Sequence, residues 1–515
     1  MMIAFELSSL RQGRAILAAA KKRFRTARGE RRREERTRFD TFDWRLWSAG
    51  ATLSTTRDGP RWVLHWRRDE DGAEHRERSS GPPAFAWDLP PGQLRRDLEG
   101  VVEMRRLMPR VELEHHSEEL CLLDRRDKTV ARLRLAGWRV RAAGSKTAKR
   151  LGPRLVAAPV RGFDRDFARL LGFLEHQGLE RAARPVLDRA YEACGLQPGD
   201  YLPKVEVPLE PELPAHLAVR RICRQQLDTI RRNEEGLRRD LDSEFLHDFR
   251  VAVRRTRSAL SQVKGALPLD RVSWFRKEFS WLGGQTGALR DLDVYLLKLD
   301  DYRASLSASA AAGLGALDDL LRRKQKSEHR RVARMLGTKR YQRLLTEWEG
   351  FLADEETPDT PTAGLPPIGE VARDRILKAH ARVLKKGRAI GPTSPDEKLH
   401  RLRIDCKKLR YLLEFFRDLY EPSEIGKVIK ALKALQDNLG DFNDLTVQQG
   451  AMEHFAGELT ALGAPSAALL ALGQLIANLI ARHDEERRRF HEQFERFDRR
   501  KVRKRLTQLV ESAVS

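Results

Sequence analysis

The chain has 515 residues, of which 41% are hydrophobic and 34% charged, and its formal net charge is +23. That length suffices for several self-sustaining cores, and the basic excess points to a polyanionic partner: nucleic acid, anionic lipid or polyphosphate. Four cysteines, Cys121, Cys194, Cys223 and Cys406, show no metal-ligand or C-x-x-C spacing, so they read as buried thiols and not as a disulfide framework.

The N-terminal stretch MMIAFELSSLRQGRAIL lacks the apolar core of a signal peptide. No segment approaches the roughly 18 apolar residues of a membrane span, so a cytoplasmic protein in a reducing compartment, with no membrane partner, is expected. From about residue 38 to 142 short alternating runs predict half-buried strands. In RWVLHWR, Trp62, Leu64 and Trp66 oppose Arg61, Val63, His65 and Arg67; in WRVRAA, Trp138 and Val140 oppose Arg139 and Arg141. Turn signals at Asp58-Gly59-Pro60, Asp71-Gly72 and Gly81-Pro82-Pro83 separate the runs.

Helical periodicity takes over at 164–195 and, after a proline-rich stretch at 201–214, throughout the remainder of the chain. The expected organisation is a β-rich domain at 1–200, a linker at 201–214, a first helical repeat at 215–353, an acidic proline-rich linker at 354–369 and a second helical repeat at 370–512. The fold class is therefore α+β.

The helical part contains one pattern twice. LHDFRVAVRRTRSALSQV, followed by LGGQTGALRDLD, spans 246–293; LHRLRIDCKKLRYLLEFF, followed by LQDNLGDFNDLT, spans 399–446, and the offset is 153 residues throughout. Leu246, Phe249, Val253, Thr256 and Leu260 recur at core-facing helical spacing, as do Leu399, Leu402, Cys406, Leu409 and Leu413. Beside that stripe, His247, Arg250, Arg254 and Arg257 stand at i, i+3, i+7 and i+10, and His400, Arg403, Lys407 and Arg410 repeat the arrangement.

Like charges one turn apart repel by a few tenths of a kcal/mol per pair, roughly, unless an anion or facing carboxylates compensate. Solvated helix faces, or arginines locked to Asp291, Asp293 and Asp444, would explain one such helix; two copies with the same order favour an anion site. Further cations precede each repeat: Arg220, Arg221, Arg224, Arg231 and Arg232, then Arg373, Arg375, Lys378, Arg382, Lys385 and Lys386. Arg290 in the first half faces Asn443 in the second, so the halves are similar but not equivalent.

These motifs resemble the CHAD family, the conserved-histidine α-helical domain, over about 215–512. The resemblance implies two related helical bundles around a basic cleft that binds inorganic polyphosphate. It assigns anion contacts to His247, Arg250, Arg254, Arg255, Arg257, His400, Arg403, Lys407, Lys408 and Arg410, to which the cation pattern adds Arg290. Association with polyphosphate granules is then the cellular expectation.

The N-terminal part resembles the CYTH-like triphosphate tunnel enzymes, through RFDTFDWRLWSAGATL at 38–53 and RWVLHWR at 61–67. Those enzymes use an E-x-E-x-K start to hold a divalent metal and triphosphate. Here the start is AFELS, where Glu6 matches but Ala4 and Ser8 stand in the other two places, and Ser54, Thr55 and Thr56 follow Leu53 in place of cations. Without paired carboxylates a hard cation has no anchor, so a degenerate domain with no metal site and no cofactor is expected, and a binding module in preference to an enzyme. Glu112 and Glu114 could share a strand face but form only a weak metal signal. The alternatives are a metal-dependent triphosphatase or polyphosphate hydrolase acting through the N-terminal domain, and a nucleic-acid-binding protein. The chain has no helix-turn-helix, zinc-finger or RNA-recognition signature, so nucleic acid is expected to bind nonspecifically.

Overall fold

The computed structural model describes residues 2–70, 72–201, 206–263, 266–353 and 366–511. Contacts divide the chain into two units, Met1–Leu202 and Pro203–Ser515. Most of the acidic linker expected at 354–369, and part of that at 201–214, lies outside the described residues.

The first unit is an antiparallel sheet of β1 (Ile3–Glu6), β2 (Thr26–Asp40), β3 (Ala51–Asp58), β4 (Arg61–Arg68), β5 (Glu74–Ser79), β6 (Met108–Leu123), β7 (Thr129–Ala142) and β8 (Lys149–Pro159), in the order β1-β8-β7-β6-β2-β3-β4-β5. Helices α1 (Leu10–Arg23), α2 (Arg45–Ser48), α3 (Gln93–Val102), α4 (Asp164–His176) and α5 (Val186–Ala193) complete it. The alternation read in β4 is realised in part: Leu64 and Trp66 enter a core alongside Phe39, Leu53, Leu94 and Leu98, whereas Trp62 is half-buried and Val63 on the opposite face is buried as well. A second cluster joins Phe5, Leu17, Leu133 and Leu155 to Leu170 and Leu174 of α4.

The strands begin well before residue 38 and run on beyond 142. β2 carries the run TARGERRREERTRFD, which has almost no apolar alternation to announce it. Its partners on both sides supply the stabilisation: it pairs with β3 and β6, and Arg33 meets Glu114 across the ladder at 2.7 Å.

The second unit is helical: α6 (Ala215–Arg238), α7 (Ser243–Gln262), α8 (Leu269–Gln285), α9 (Gly287–Leu297), α10 (Leu299–Ala304), α11 (Ala308–Gly313), α12 (Gly315–Leu336), α13 (Lys339–Ala353), α14 (Ile368–Arg388), α15 (Asp396–Phe415), α16 (Pro422–Ala461), α17 (Ser466–Phe497) and α18 (Arg500–Glu511). The sequence repeat is also a repeat of helix boundaries. Helices α6, α7 and α8 start at 215, 243 and 269, and α14, α15 and α16 at 368, 396 and 422, an offset of 153 each time. The halves diverge where the chain breaks at Thr286 to separate α8 from α9, whereas α16 runs through the corresponding position without interruption.

All ten residues of the two apolar stripes are buried. At Gly387, α14 comes so close to α17 that an added methyl would collide with the Phe494 ring. Phe249, fully buried on α7 with the Tyr341 ring 6.4 Å away, tests the stripe. Phe249→Ala is expected to destabilise the helical unit by about 3–5 kcal/mol, read as a lower chemical-denaturation midpoint by circular dichroism.

Candidate polyanion-binding cleft

Asp242 starts α7 by accepting the backbone N–H groups of Glu244 and Phe245 at 2.9 and 3.3 Å. The first turns of α7 and α15 then hold the two repeated histidines, and each is bonded by the residue 43 positions further on. Arg290 Nη2 donates to His247 Nδ1 at 3.0 Å, and also reaches Glu244 at 3.7 Å while its Nη1 donates to the Ser243 carbonyl at 3.2 Å. In the second half His400 Nδ1 lies 2.6 Å from Asn443 Oδ1, where only a donated N–H makes a bond.

One turn along, Arg250 donates to the Gly283 carbonyl at 2.9 Å and to Thr286 Oγ1 at 2.8 Å, bracing the break between α8 and α9. Arg403 instead pairs with Asp444 at 3.0 Å. Burial holds the Asp291 carboxyl above its usual range; Arg250 opposes this and Asp444, the equivalent residue of the other half, adds to it. The expectation that Asp293 locks an arginine is not realised as such: it accepts from Gln325 at 3.3 Å, and burial pushes it up to about 7.

Arg255 and Arg410 are turned to one carboxylate. Glu414 accepts from Arg255 at 3.2 Å and from Arg410 at 2.6 Å, and Arg410 also donates to Gln436 at 3.3 Å. Of these two residues, both expected as anion contacts, Arg255 ties α7 to α15 through Glu414, and Arg410 braces α15 and reaches α16.

Four helices, two from each half, enclose a cleft of about 1040 Å³. Among the described residues, helix α7 contributes Arg254 and Arg257, α8 Arg276 and Lys277, α14 Arg375, Lys378 and Arg382, and α15 Lys407 and Lys408: nine cations against one carboxylate, Asp405. Asp405 is already occupied, with Lys386 at 2.5 Å, Lys408 at 3.6 Å and Arg382 at 3.9 Å. Ser258, Ser261, Ser273, Ser280 and Gln262 supply neutral hydrogen-bonding groups, and Tyr411 accepts from Arg254 Nε at 2.5 Å. Burial first, then Arg403 and Arg254, push the Lys407 ammonium down to about 8.

Of the residues singled out from the sequence, Arg254, Arg257, Lys407 and Lys408 line this cleft. His247, Arg250, His400 and Arg403 lie toward the N-terminal ends of α7 and α15, and Arg290 lies on α9; they make the bonds described above. Arg276 and Lys277 were not anticipated, although Ser273, Arg276, Lys277 and Ser280 stand at i, i+3, i+4 and i+7, away from buried Phe275, Phe279 and Leu282. Among the cations preceding the repeats, Arg375, Lys378 and Arg382 of α14 line the cleft, whereas Arg220 is buried over the Phe351 ring at 5.2 Å and Arg231 pairs with Glu349 at 2.8 Å. The α6 positions equivalent to Arg375, Lys378 and Arg382 are Ile222, Gln225 and Thr229, so the first half has no copy of this cationic wall.

In the first unit Glu6 is held by Arg154 at 2.6 Å and Arg189 at 2.8 Å. Glu112 pairs with Arg141, and Glu114 with Arg33 at 2.7 Å and His116 at 2.9 Å. Among the described residues no group of three or more His, Cys, Asp or Glu side chains is placed to hold a metal ion. Nor is any described helix long and apolar enough to cross a membrane.

Comparison with known proteins places a CHAD domain at residues 221–453. An uncharacterized protein of Mycobacterium tuberculosis, found in two strains, is 24% identical over 410 residues, covering 76% of this chain and 77% of that protein. The CHAD domain from the plant Ricinus communis is 28% identical, over 56% of this chain and 95% of that one, with a TM-score of 0.47. The Hippeastrum protein HpAC1, which has a dominant triphosphatase activity, is 14% identical over 39% of this chain and 99% of its own, with a TM-score of 0.26.

Lys407 gives the cleft a pH signature. Its folded value of about 8 lies below the 10.5 of a lysine in water, so folding is opposed while the amine is charged in both states. That opposition is complete below pH 8 and fades as pH rises toward 10.5. Lys407→Met is therefore expected to raise the denaturation midpoint at pH 7, with the gain shrinking between pH 8 and 10.5. A pH-independent change would contradict the assignment.

Proposed function

We propose that the CHAD domain carried at residues 221–453 binds inorganic polyphosphate in the cleft between α7, α8, α14 and α15. The observation that carries this reading is the imbalance of nine cations against a single, already paired carboxylate. Such an arrangement concentrates positive potential in a concave space and needs a multivalent anion to offset the repulsion. Polyphosphate presents about one charge per phosphate and no base edges. Arginine forks grip its oxygens in pairs, lysines act as point charges, and Ser258, Ser273 and Ser280 donate single bonds.

Tyr411 is the sole aromatic side chain lining the cleft among the described residues, and its hydroxyl accepts from Arg254. A single-stranded nucleic acid would gain charge contacts there but little base stacking. Retention of the protein on cytoplasmic polyphosphate granules is the cellular consequence of this reading.

The test is a competition titration with long-chain polyphosphate, triphosphate and single-stranded nucleic acid. Arg254→Gln with Lys407→Gln removes two contacts, each worth about 1.5–3 kcal/mol as a charge-assisted bond before solvent screening. The pair is expected to weaken polyphosphate binding at least about ten-fold at physiological salt. It should also flatten the dependence of log K on log salt by about 1.4, the value for two contacts to a single strand. Arg323→Gln with Lys326→Gln changes net charge equally on exposed positions of α12 and is expected to leave most of the affinity intact; equal losses would point to diffuse attraction.

The first unit is proposed to lack metal-dependent phosphohydrolysis, because the Glu6 carboxylate is clamped by two guanidinium groups. Assays of the full chain with triphosphate and Mg²⁺ or Mn²⁺ are expected to release no phosphate above background. Robust release that disappears in Glu6→Gln would establish the hydrolase alternative.

A further inference from the structure

Lys407 stands apart from the other amines of the cleft. Lys408 leans on Asp405 at 3.6 Å, and Lys277 and Lys378 are exposed to water. Lys407 is half-buried and makes no ion pair within 4.0 Å among the described residues. The charged groups that act on it are Arg254 from α7, Arg403 and Arg410 on its own helix, and Asp444 from α16; across the cleft α14 adds Lys378 and Arg382. Asp444 is the one acid in this set, and it is engaged by Arg403 at 3.0 Å.

We propose that Lys407 is a modification site whose amine takes acyl groups from small acyl phosphates that enter the cleft. The geometry brings together what that reaction requires. Burial first, and crowding by cations with it, favours the neutral amine, the nucleophilic form, as in other lysines that are desolvated or set beside a positive neighbour. The same cations attract the phosphate end of a mixed anhydride and offset the charge that develops on the departing phosphate. The shift of Lys407 to about 8 agrees with this placement.

In the step itself the Lys407 nitrogen forms a bond to the acyl carbon. The bond from that carbon to the bridging phosphate oxygen breaks, inorganic phosphate leaves with the bonding pair, and the nitrogen loses one proton to phosphate or water. The product is an uncharged amide, so acylation removes one cation from the cleft wall. This inference rests on the reading of the cleft as an anion site and adds a means of weakening it.

The experiment uses the full chain with acetyl phosphate as the probe, and peptide-mapping mass spectrometry to follow acetylation at each lysine over time and pH. Lys407 is expected to react at least about ten-fold faster than Lys277 and Lys378 at pH 7.5, with a rate that rises through a midpoint near pH 8. Arg254→Gln, which removes a positive neighbour, is expected to slow Lys407 and move that midpoint upward. Labelling of Lys407 no faster than Lys277 and Lys378, or an Arg254→Gln profile superimposable on the parent, overturns the proposal. Long-chain polyphosphate is expected to protect Lys407. Selective labelling without such protection would leave the modification site standing and count against polyphosphate as the occupant of the cleft.

Discussion

Glu414 accepts guanidinium groups from both halves of the repeat, Arg255 on α7 and Arg410 on its own helix α15, and both Arg255 and Glu414 are largely buried. This shared carboxylate, with Tyr411 bonded to Arg254 nearby, holds the two repeated helices side by side. Cations on neighbouring helices would otherwise favour separation. A buried ion pair gives little net stability against a well-packed apolar alternative, yet breaking one partner leaves an uncompensated charge and is strongly unfavourable. Fixing α7 to α15 in this way lets Arg254, Arg257, Lys407 and Lys408 share one concave surface, and the rest of the cleft follows from the helices packed against that pair.

Duplication supplied the framework and divergence supplied the chemistry. Helix starts repeat at a constant offset, but α14 carries Arg375, Lys378 and Arg382 where α6 carries Ile222, Gln225 and Thr229. The histidines diverged in hydrogen-bond polarity. His247 Nδ1 accepts from Arg290, whereas His400 Nδ1 donates to Asn443. One histidine thus serves as an acceptor that positions an arginine, and its counterpart as a donor to an amide oxygen.

The first unit manages its charges differently. Glu6, Glu112 and Glu114 are each matched by arginines within the unit, so the acidic groups that could have held a cation are satisfied by protein. Self-neutralisation of this kind is what the helical cleft lacks.

The apolar alternation of β4 and the 3.6-residue stripes of α7 and α15 were legible in the chain because burial of one face imposes a period on sequence. The cation rows beside those stripes were legible for the same reason, as was the duplication. The extent of β2 was not, since its arginines and glutamates are stabilised by partner strands that lie far away in sequence. Nor could the row of cations on one helix reveal which would face an open cleft. Arg254 and Arg255 are neighbours in sequence, yet one lines the cleft and the other is spent on Glu414. Periodicity fixes the face of a helix on which a charge stands; the residue that neutralises it, or fails to, comes from another helix, and so only tertiary packing decides which cations remain for a ligand.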